Sequence, residues 1–247
     1  MPDTYPQTAE GHVANIAAGS AFHEQLAESW SRGYAAGSFR RRLLFLKQRL
    51  NGRVRPGDLW LDAGCGSGVI ARELAALGAA VIAVDASPKM LAQAREDTYA
   101  TVGRIDYQLI ESVERLPLQD GVADGVLCSS VLEYVENPDA ALRECCRVLG
   151  ADGCLIVSVP NRWSVIRMAQ QLGRQIGRLA GKSLFDYLSV SRHSYSRGAL
   201  RKALSRNGFD VEEIALFSPV QPRVLTPLGL GALWVAVAHR KPSHSLS

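Results

Sequence analysis

Short apolar runs alternate along the chain with segments in which apolar residues recur every three or four positions. The apolar runs predict strands, because buried parallel strands are almost continuously apolar. These strands are predicted near residues 59–61, 80–84, 107–110, 124–128, 154–159, 209–216 and 233–239. The intervening segments predict helices, one with Pro88 in its first turn and another with Ser196 as its N-cap. The alternation predicts a parallel sheet with helices on both faces.

A further helix is predicted before the first strand, where Phe39, Leu43, Leu46 and Leu50 are three or four residues apart. Residues 1–57 are therefore interpreted as a helical N-terminal cap. The helix carries three consecutive arginines at positions 40–42. Three adjacent side chains cannot share one helical face, so we expect at least one of them to turn inward toward a carboxylate.

Residues 161–192 form an insertion that is too long for an ordinary connection between a strand and a helix, which takes about 2 to 6 residues. On a helical wheel, residues 165–182 separate into an apolar side and a basic side. The apolar side contains Val165, Met168, Ala169, Leu172, Ile176, Leu179 and Ala180, and the polar side contains Arg167, Gln171, Arg174, Arg178 and Lys182. Two interpretations stay open: a helix that lies on a membrane surface through residues 163–182, or a lid that packs its apolar side on the domain.

Composition narrows the class of protein. The chain has 247 residues, of which 47% are hydrophobic, and fits a single domain over residues 1–240 followed by a disordered tail at 241–247. No apolar run is long enough for a membrane span and no secretory signal precedes the domain, so we expect a cytoplasmic protein, with peripheral contact at the inner membrane surface left open. Five cysteines without paired spacing or accompanying histidines predict neither disulfides nor a metal site. The net charge of +4 is too small to indicate nucleic-acid binding.

The chemistry is concentrated where the first strand ends. Gly64, Gly66 and Gly68 follow it at alternate positions, with Asp62 two residues before the first glycine. Glycines allow a backbone to turn sharply and a ligand to approach it closely. The spacing differs from the G-x-G-x-x-G of dinucleotide-binding proteins, and the acidic residue indicates an ammonium group. Asp85 ends the second strand, where a carboxylate can bind a ribose diol, so a nucleoside derivative is predicted as the ligand.

These residues resemble the class I S-adenosylmethionine-dependent methyltransferases. The resemblance implies that the three glycines line the amino-acid half of the cofactor, that Asp62 lies near its ammonium group and that Asp85 holds the ribose hydroxyls. We also count Cys65 and Ala86, which adjoin these residues, among the cofactor-binding residues.

Within that class, the chain is similar to the ubiquinone-pathway O-methyltransferases. The similarity rests on residues 110–114, on residues 128–135 and on His193, which precedes a predicted helix. It implies that Arg42 reaches the cofactor's carboxylate, that Ser129 contacts the cofactor through its backbone and that Ser112 and Val113 flank the adenine. The sequence departs from the family where Tyr134 replaces a histidine and where Ser112 replaces the aspartate that reads the adenine amino group.

We therefore predict a Rossmann-like α/β fold with a seven-stranded, mostly parallel sheet, an antiparallel last strand and a helical insertion after strand five. The predicted reaction is transfer of a methyl group to the hydroxyl of a small aromatic or lipophilic acceptor. A general base helps such a reaction, and His193 is the first candidate because its usual pKa suits proton removal near neutrality. Tyr134 and Glu133 are the other candidates. An amine or carboxylate acceptor, an inactive cofactor-binding module and the oligomeric state stay open.

Overall fold

The structure, a computed structural model, describes residue 34 and residues 36–98, 104–179, 187–219 and 229–242. Its helices are α1 Gly37–Leu50, α2 Val69–Ala76, α3 Pro88–Thr98, α4 Pro138–Val148, α5 Val165–Leu179, α6 Tyr187–Val190 and α7 Arg197–Arg206. Its strands are β1 Leu59–Ala63, β2 Ala80–Asp85, β3 Ile105–Leu109, β4 Ala123–Ser129, β5 Leu149–Pro160, β6 Phe209–Phe217 and β7 Leu233–Arg240.

All the strands belong to one sheet in the order β3-β2-β1-β4-β5-β7-β6. Strands β1 to β5 pair in parallel, and β7 runs antiparallel to both of its neighbours, β5 and β6. The predicted seven-stranded sheet with a reversed last strand is therefore confirmed. Because the order reverses between β1 and β4, a crevice opens there beyond the carboxyl ends of the strands.

Each face of the sheet is covered by helices. The apolar sides of α4 and α7 pack on one face in a cluster that includes Leu142 and Leu200, while α1, α2 and α3 pack on the other face around Trp60 and Leu74. Helix α7 begins at its predicted N-cap: the Ser196 hydroxyl accepts a hydrogen bond from the Ala199 backbone N–H at 3.2 Å. The two-faced packing agrees with the predicted layers.

Strand β5 begins at Leu149, five residues before its predicted start. Asp152 and Gly153 suggest a turn, but Leu149 pairs with Ala123, and the register shifts before Gly125 pairs with Cys154. An irregularity in the pairing of β4 with β5 thus lets the strand continue through residues whose sequence is typical of a loop.

The insertion forms helix α5 as predicted, but its orientation is the reverse of a lid that buries its apolar side. Met168, Leu172 and Ile176 are 57–59% exposed. Residues 166, 167, 170, 173 and 174 are half-buried and face the domain. The interpretation of a lid packed through its apolar side is therefore wrong.

Several predicted features lie outside the described residues: most of the N-terminal cap at 1–33, the end of the insertion helix at 180–182 and the tail at 243–247. In the part of the chain that the structure describes, no helix is long and apolar enough to cross a membrane.

Candidate active site

A cavity of about 540 Å³ lies in the crevice at the carboxyl ends of the parallel strands. Residues that follow β1, β2, β3 and β4 form most of its wall, within 62–67, 85–87, 110–113 and 129–135. Helix α1 contributes Phe39 and Arg42 from one side, and α5 contributes Ile166, Arg167 and Gln170 from the other. The cavity therefore joins the predicted motif to two helices that lie outside the βα units of the sheet.

The glycine loop turns tightly beside this cavity. Gly64 has φ +78°, and a Cβ at this position would lie 2.3 Å from the Val131 side chain. The backbone N–H groups of Gly64 and Cys65 both bond to the Val84 carbonyl, at 2.8 and 2.9 Å. A side chain at position 64 would therefore disrupt the turn, since left-handed backbone and close contact both favour glycine.

Gly68 does not take part in the cavity wall. It starts helix α2 with φ +71°, and a Cβ there would lie 2.3 Å from the Tyr107 hydroxyl oxygen and 3.0 Å from the Ala94 Cβ. Its small size allows α2, α3 and β3 to pack closely. The structure therefore gives Gly68 a packing role, and its implied contact with a cofactor stays a prediction.

Asp85 connects the glycine loop to the end of β2. One carboxylate oxygen accepts a bond from the Gly66 N–H at 2.8 Å and the other accepts one from the Ser87 N–H, also at 2.8 Å. Both oxygens retain further lone pairs, because a carboxylate offers about four acceptor sites. Asp85 lines the cavity together with Ala86, so it can hold the loop and a ligand hydroxyl at the same time.

Asp62 is a buried carboxyl group in the cavity wall. It is 2% exposed, and its Oδ2 has no hydrogen-bond partner among the described residues. Burial raises the pKa of Asp62 to about 7, and the nearby Asp85 adds to the increase, while the Ala71 backbone N–H lowers it. A cationic ligand group would relieve this cost of burial by pairing with the carboxylate.

Arg42 is the arginine of the three that turns inward, whereas Arg40 and Arg41 are exposed. One of the three side chains thus turns inward as expected, but it bonds to hydroxyl groups, and no ion pair with a carboxylate is found for it among the described residues. Its Nη2 donates to the Ser129 hydroxyl at 2.6 Å and to the Ser158 hydroxyl at 3.4 Å. Its Nε is buried without a partner among the described residues. The guanidinium can therefore still donate to an anionic group in the cavity.

Glu133 is the second buried carboxyl group of the wall. It is 3% exposed, and no group in the described part of the chain bonds to its Oε2. Burial raises the pKa of Glu133 to about 7, although its own backbone N–H, Arg42, Ser130 and Arg167 act in the opposite direction. Ser130 has φ +57°, the one positive φ at a described residue other than glycine. Strained backbone of this kind is common at functional sites.

His193, the first predicted base, does not line the cavity. Its Nε2 lies 3.0 Å from the Val135 carbonyl oxygen, and its backbone N–H bonds to the Glu133 carbonyl oxygen at 3.4 Å. These contacts hold the segment that carries Glu133, so the geometry favours a positioning role for His193. The other two candidates, Glu133 and Tyr134, do line the cavity.

The remaining predicted residues lie in the wall as well: Cys65, Ser112, Val113 and Ser129. The Ser129 hydroxyl accepts the bond from Arg42, whereas the predicted backbone contact of Ser129 with a cofactor stays a prediction. The Ser112 hydroxyl accepts a bond from the Glu114 N–H at 3.1 Å and so shapes the turn after β3.

Sequence reasoning missed the residues that α1, α5 and their surroundings bring to the cavity. Tyr34 and Phe39 line it with their rings edge to face, the centroids 5.2 Å apart. Arg167 and Gln170 line it from α5. A signal for Phe39 was present, since it lies one helical turn before Arg42 on the same face.

Comparison with known proteins agrees with this geometry. A family model described as a methyltransferase domain matches residues 61–157. The ubiquinone biosynthesis O-methyltransferase of Xanthomonas axonopodis pv. citri is 32% identical over 179 residues, which are 70% of this chain and 73% of that protein. The protein of the same name from Xanthomonas campestris pv. campestris is 35% identical over 150 residues, 60% of this chain, and the matched stretch spans 62% of that relative's length.

The fold is also that of a solved methyltransferase. The crystal structure of an S-adenosylmethionine-dependent methyltransferase from Mesorhizobium loti matches with a TM-score of 0.58 at 23% identity, covering 79% of this chain and 96% of that one. Strand order and reversed last strand define the Rossmann-like class I fold. The chain belongs to the S-adenosylmethionine-dependent methyltransferases, whose cofactor is S-adenosylmethionine.

Proposed function

We propose that this protein transfers a methyl group from S-adenosylmethionine to a hydroxyl of a small aromatic or lipophilic acceptor. The observation that carries the proposal is the distribution of charge in one cavity. Asp62, Asp85 and Arg42 line this cavity together with the glycine loop, and Glu133 lines it with a buried oxygen to which no described group bonds. A cofactor-binding end and an acceptor end are thus adjacent.

The residues of the first end fit the cofactor group by group. The unpaired Oδ2 of Asp62 suits the ammonium group, and the unpaired Nε of Arg42 suits the carboxylate. Asp85 suits the ribose hydroxyls, and the turn at Gly64 and Gly66 leaves room for the methionine part. Ser112 and Val113 lie where they can flank the adenine ring.

S-adenosylmethionine supplies a methyl group bonded to a sulfonium sulfur, and an acceptor oxygen displaces that sulfur as S-adenosylhomocysteine. The oxygen gains the methyl carbon, and the sulfur keeps the electron pair of the broken carbon–sulfur bond. Glu133 accepts the hydroxyl proton at Oε2. Its raised pKa, about 7, makes it a suitable base near neutrality. The ubiquinone biosynthesis relatives are named O-methyltransferases, which supports a hydroxyl acceptor.

The test is the substitution Glu133→Gln, which keeps the shape of the side chain and removes the base. With S-adenosylmethionine and a panel of catechols and phenols, we expect kcat to fall by about 10²-fold or more. The dissociation constant of S-adenosylhomocysteine, measured by calorimetry, should change by less than about threefold, because Glu133 lies beyond the cofactor-binding groups.

The matched control is His193→Gln, whose amide can still donate to the Val135 carbonyl. This variant should keep most of the wild-type kcat. Full turnover by Glu133→Gln together with a large loss in His193→Gln would return the role of base to His193. Tight binding of S-adenosylhomocysteine without turnover of any hydroxyl or amine acceptor would instead indicate an inactive cofactor-binding module.

We also propose that the outer face of α5 contacts a membrane surface, which suits a lipophilic acceptor. Trp163, Met168, Leu172 and Ile176 are each 57–59% exposed on or just before this helix. An exposed apolar row of this kind is typical of a binding surface. The inner face of the same helix lines the cavity, so an acceptor held in the membrane would have a short path to Glu133.

A further inference from the structure

The inner face of α5 presents a cation to the acceptor end of the cavity. Arg167 lines the cavity and is half-buried. Its Nη2 donates to the Ser191 hydroxyl at 2.7 Å and to the Ser191 carbonyl at 3.3 Å. No carboxylate of the described residues lies within salt-bridge distance of this guanidinium, and no bond within them uses its Nη1 or Nε.

Two other half-buried arginines, Arg147 and Arg49, are paired with acidic side chains. Arg147 bonds to Glu144 and Asp120, both at 2.7 Å, and Arg49 bonds to Glu213 at 2.7 Å. A guanidinium removed from water without a carboxylate carries a cost in free energy. Arg42 also has no carboxylate partner within the described residues, and we propose above that this arginine binds the cofactor. Arg167 is therefore the second cavity arginine with donors available for a ligand.

The surroundings of Arg167 indicate what kind of ligand fits there. Pro160, Ile166 and Leu233 supply apolar wall at this end of the cavity, which suits a ring or an alkyl group. Glu133 lies near enough for the charge of Arg167 to lower its pKa, but the two side chains do not form a direct ion pair. The carboxyl group of Glu133 and the guanidinium of Arg167 thus line the same cavity from two different elements.

We propose that Arg167 binds a carboxylate of the methyl acceptor, so that the acceptor is an acidic phenol whose hydroxyl faces Glu133 and whose carboxylate faces α5. The inference rests on the proposed methyl transfer and adds the substrate class. The bonds that Arg167 Nη2 donates to Ser191 fix the guanidinium at the cavity wall. Its other nitrogens stay available to donate, as the paired oxygens of a carboxylate require. Opposite charges at the two ends would bind the acceptor in a single orientation.

The experiment compares 3,4-dihydroxybenzoate with its methyl ester, which has the same ring and hydroxyls without the charge. Binding of each to the protein saturated with S-adenosylhomocysteine is measured by calorimetry at pH 7. We expect the wild type to bind the acid at least about tenfold more tightly than the ester, as for one charge-assisted pair. Arg167→Met should bind the acid and the ester about equally, and its affinity for the ester should change by less than about threefold.

Two variants separate charge from structure. Arg167→Lys keeps the charge and should retain part of the preference for the acid. Arg162→Met removes an exposed arginine from the same insertion, whose backbone N–H still bonds to the Tyr195 carbonyl, and should keep the full preference.

Three results would overturn the proposal: a wild type that binds acid and ester equally, a wild type that binds neither, or an Arg167→Met variant that still prefers the acid. If Arg167 only fastens α5 to Ser191, Arg167→Met would weaken the binding of acid and ester alike and lower the Tm, which also overturns the proposal.

Binding of S-adenosylhomocysteine and Glu133-dependent turnover of neutral catechols are measured separately. If they are present while the acid is not preferred, this inference fails and the proposed function stands; if they are absent, both fail.

Discussion

Single residues carry the pH dependence that we expect of this protein. In the folded protein the pKa of Asp62 is about 7, against an ordinary value of 3.8. Between about pH 4 and 7 the folded protein therefore holds a proton that the unfolded chain has lost, and the free energy of unfolding falls as the pH rises through this range. Glu133 contributes in the same direction, since its pKa is also raised to about 7.

The substitution Asp62→Asn tests this sign. Without ligand, the variant should be more stable than the wild type at pH 8, by a few kcal/mol at most, and nearly equal to it at pH 4. Denaturant unfolding at the two pH values gives the comparison. The exposed Asp152→Asn is the control and should change stability by less than about 0.5 kcal/mol at either pH. Equal effects of Asp62→Asn at pH 4 and pH 8 would contradict the raised pKa.

The position of a residue in the cavity wall can be predicted from the sequence where a motif fixes backbone geometry, whereas its contact with a cofactor stays a prediction. Gly64, Gly66 and Asp85 follow strands directly, so their positions in the cavity wall follow from the strand ends alone. The sequence did not predict the contact of His193, because a histidine before a helix can turn either way, and here its ring bonds to the Val135 carbonyl. Which group bonds to a side chain depends on loops whose course the sequence does not specify.

At the scale of elements, helix α5 gives the clearest expectation. If its outer face lies on a membrane, the protein should co-sediment with anionic phospholipid vesicles. Leu172→Gln combined with Ile176→Gln should lower the bound fraction by about tenfold or more, since each side chain contributes about 1.5 kcal/mol or more when buried. The fold should be unaffected, because both side chains are already exposed.

The control for that experiment is Leu109→Gln, which removes an apolar side chain that is 58% exposed on β3, away from the insertion. It should leave vesicle binding unchanged. A wild type that stays in the supernatant at low salt would rule out the membrane contact, and an oligomer that dissociates in the double variant would assign the same face to a second copy of the chain.

The sequence predicts α5 itself but not how it is oriented. A helical wheel gives the angle between the apolar and basic sides, and both sides of this helix have a plausible environment. The structure turns Arg167 and Gln170 toward the cavity and Leu172 toward the solvent. Periodicity cannot make that choice, because it depends on what the rest of the molecule offers to each side.

On the scale of the whole molecule, the edge of the sheet and the cofactor end of the cavity are connected through α1. Arg49, near the end of this helix, bonds to Glu213 of β6 at 2.7 Å, and its guanidinium lies 3.7 Å from the centre of the Phe45 ring. Phe45 in turn packs against Phe217 of β6, with ring centres 5.4 Å apart. These contacts hold the helix that carries Arg42 into the cavity. The two contacts to β6 join residues far apart in sequence, so no local pattern predicts them.

Arg49→Met should therefore weaken cofactor binding from a distance. The Arg49 side chain is only 11% exposed and makes both the ion pair and the ring contact, so its loss should loosen α1. We expect the dissociation constant of S-adenosylhomocysteine, measured by calorimetry, to rise by about three- to tenfold, as for a coupling free energy of about 1 kcal/mol. Arg41→Met, at an exposed position on the same helix, should raise this dissociation constant by less than about twofold.

If the effect passes through Arg42, the loss of affinity caused by Arg49→Met should nearly disappear in an Arg42→Ala background, because the two sites then no longer couple. A loss of the same size in both backgrounds would instead mean that Arg49 stabilises the fold without positioning Arg42, and α1 would be a passive cover of the sheet.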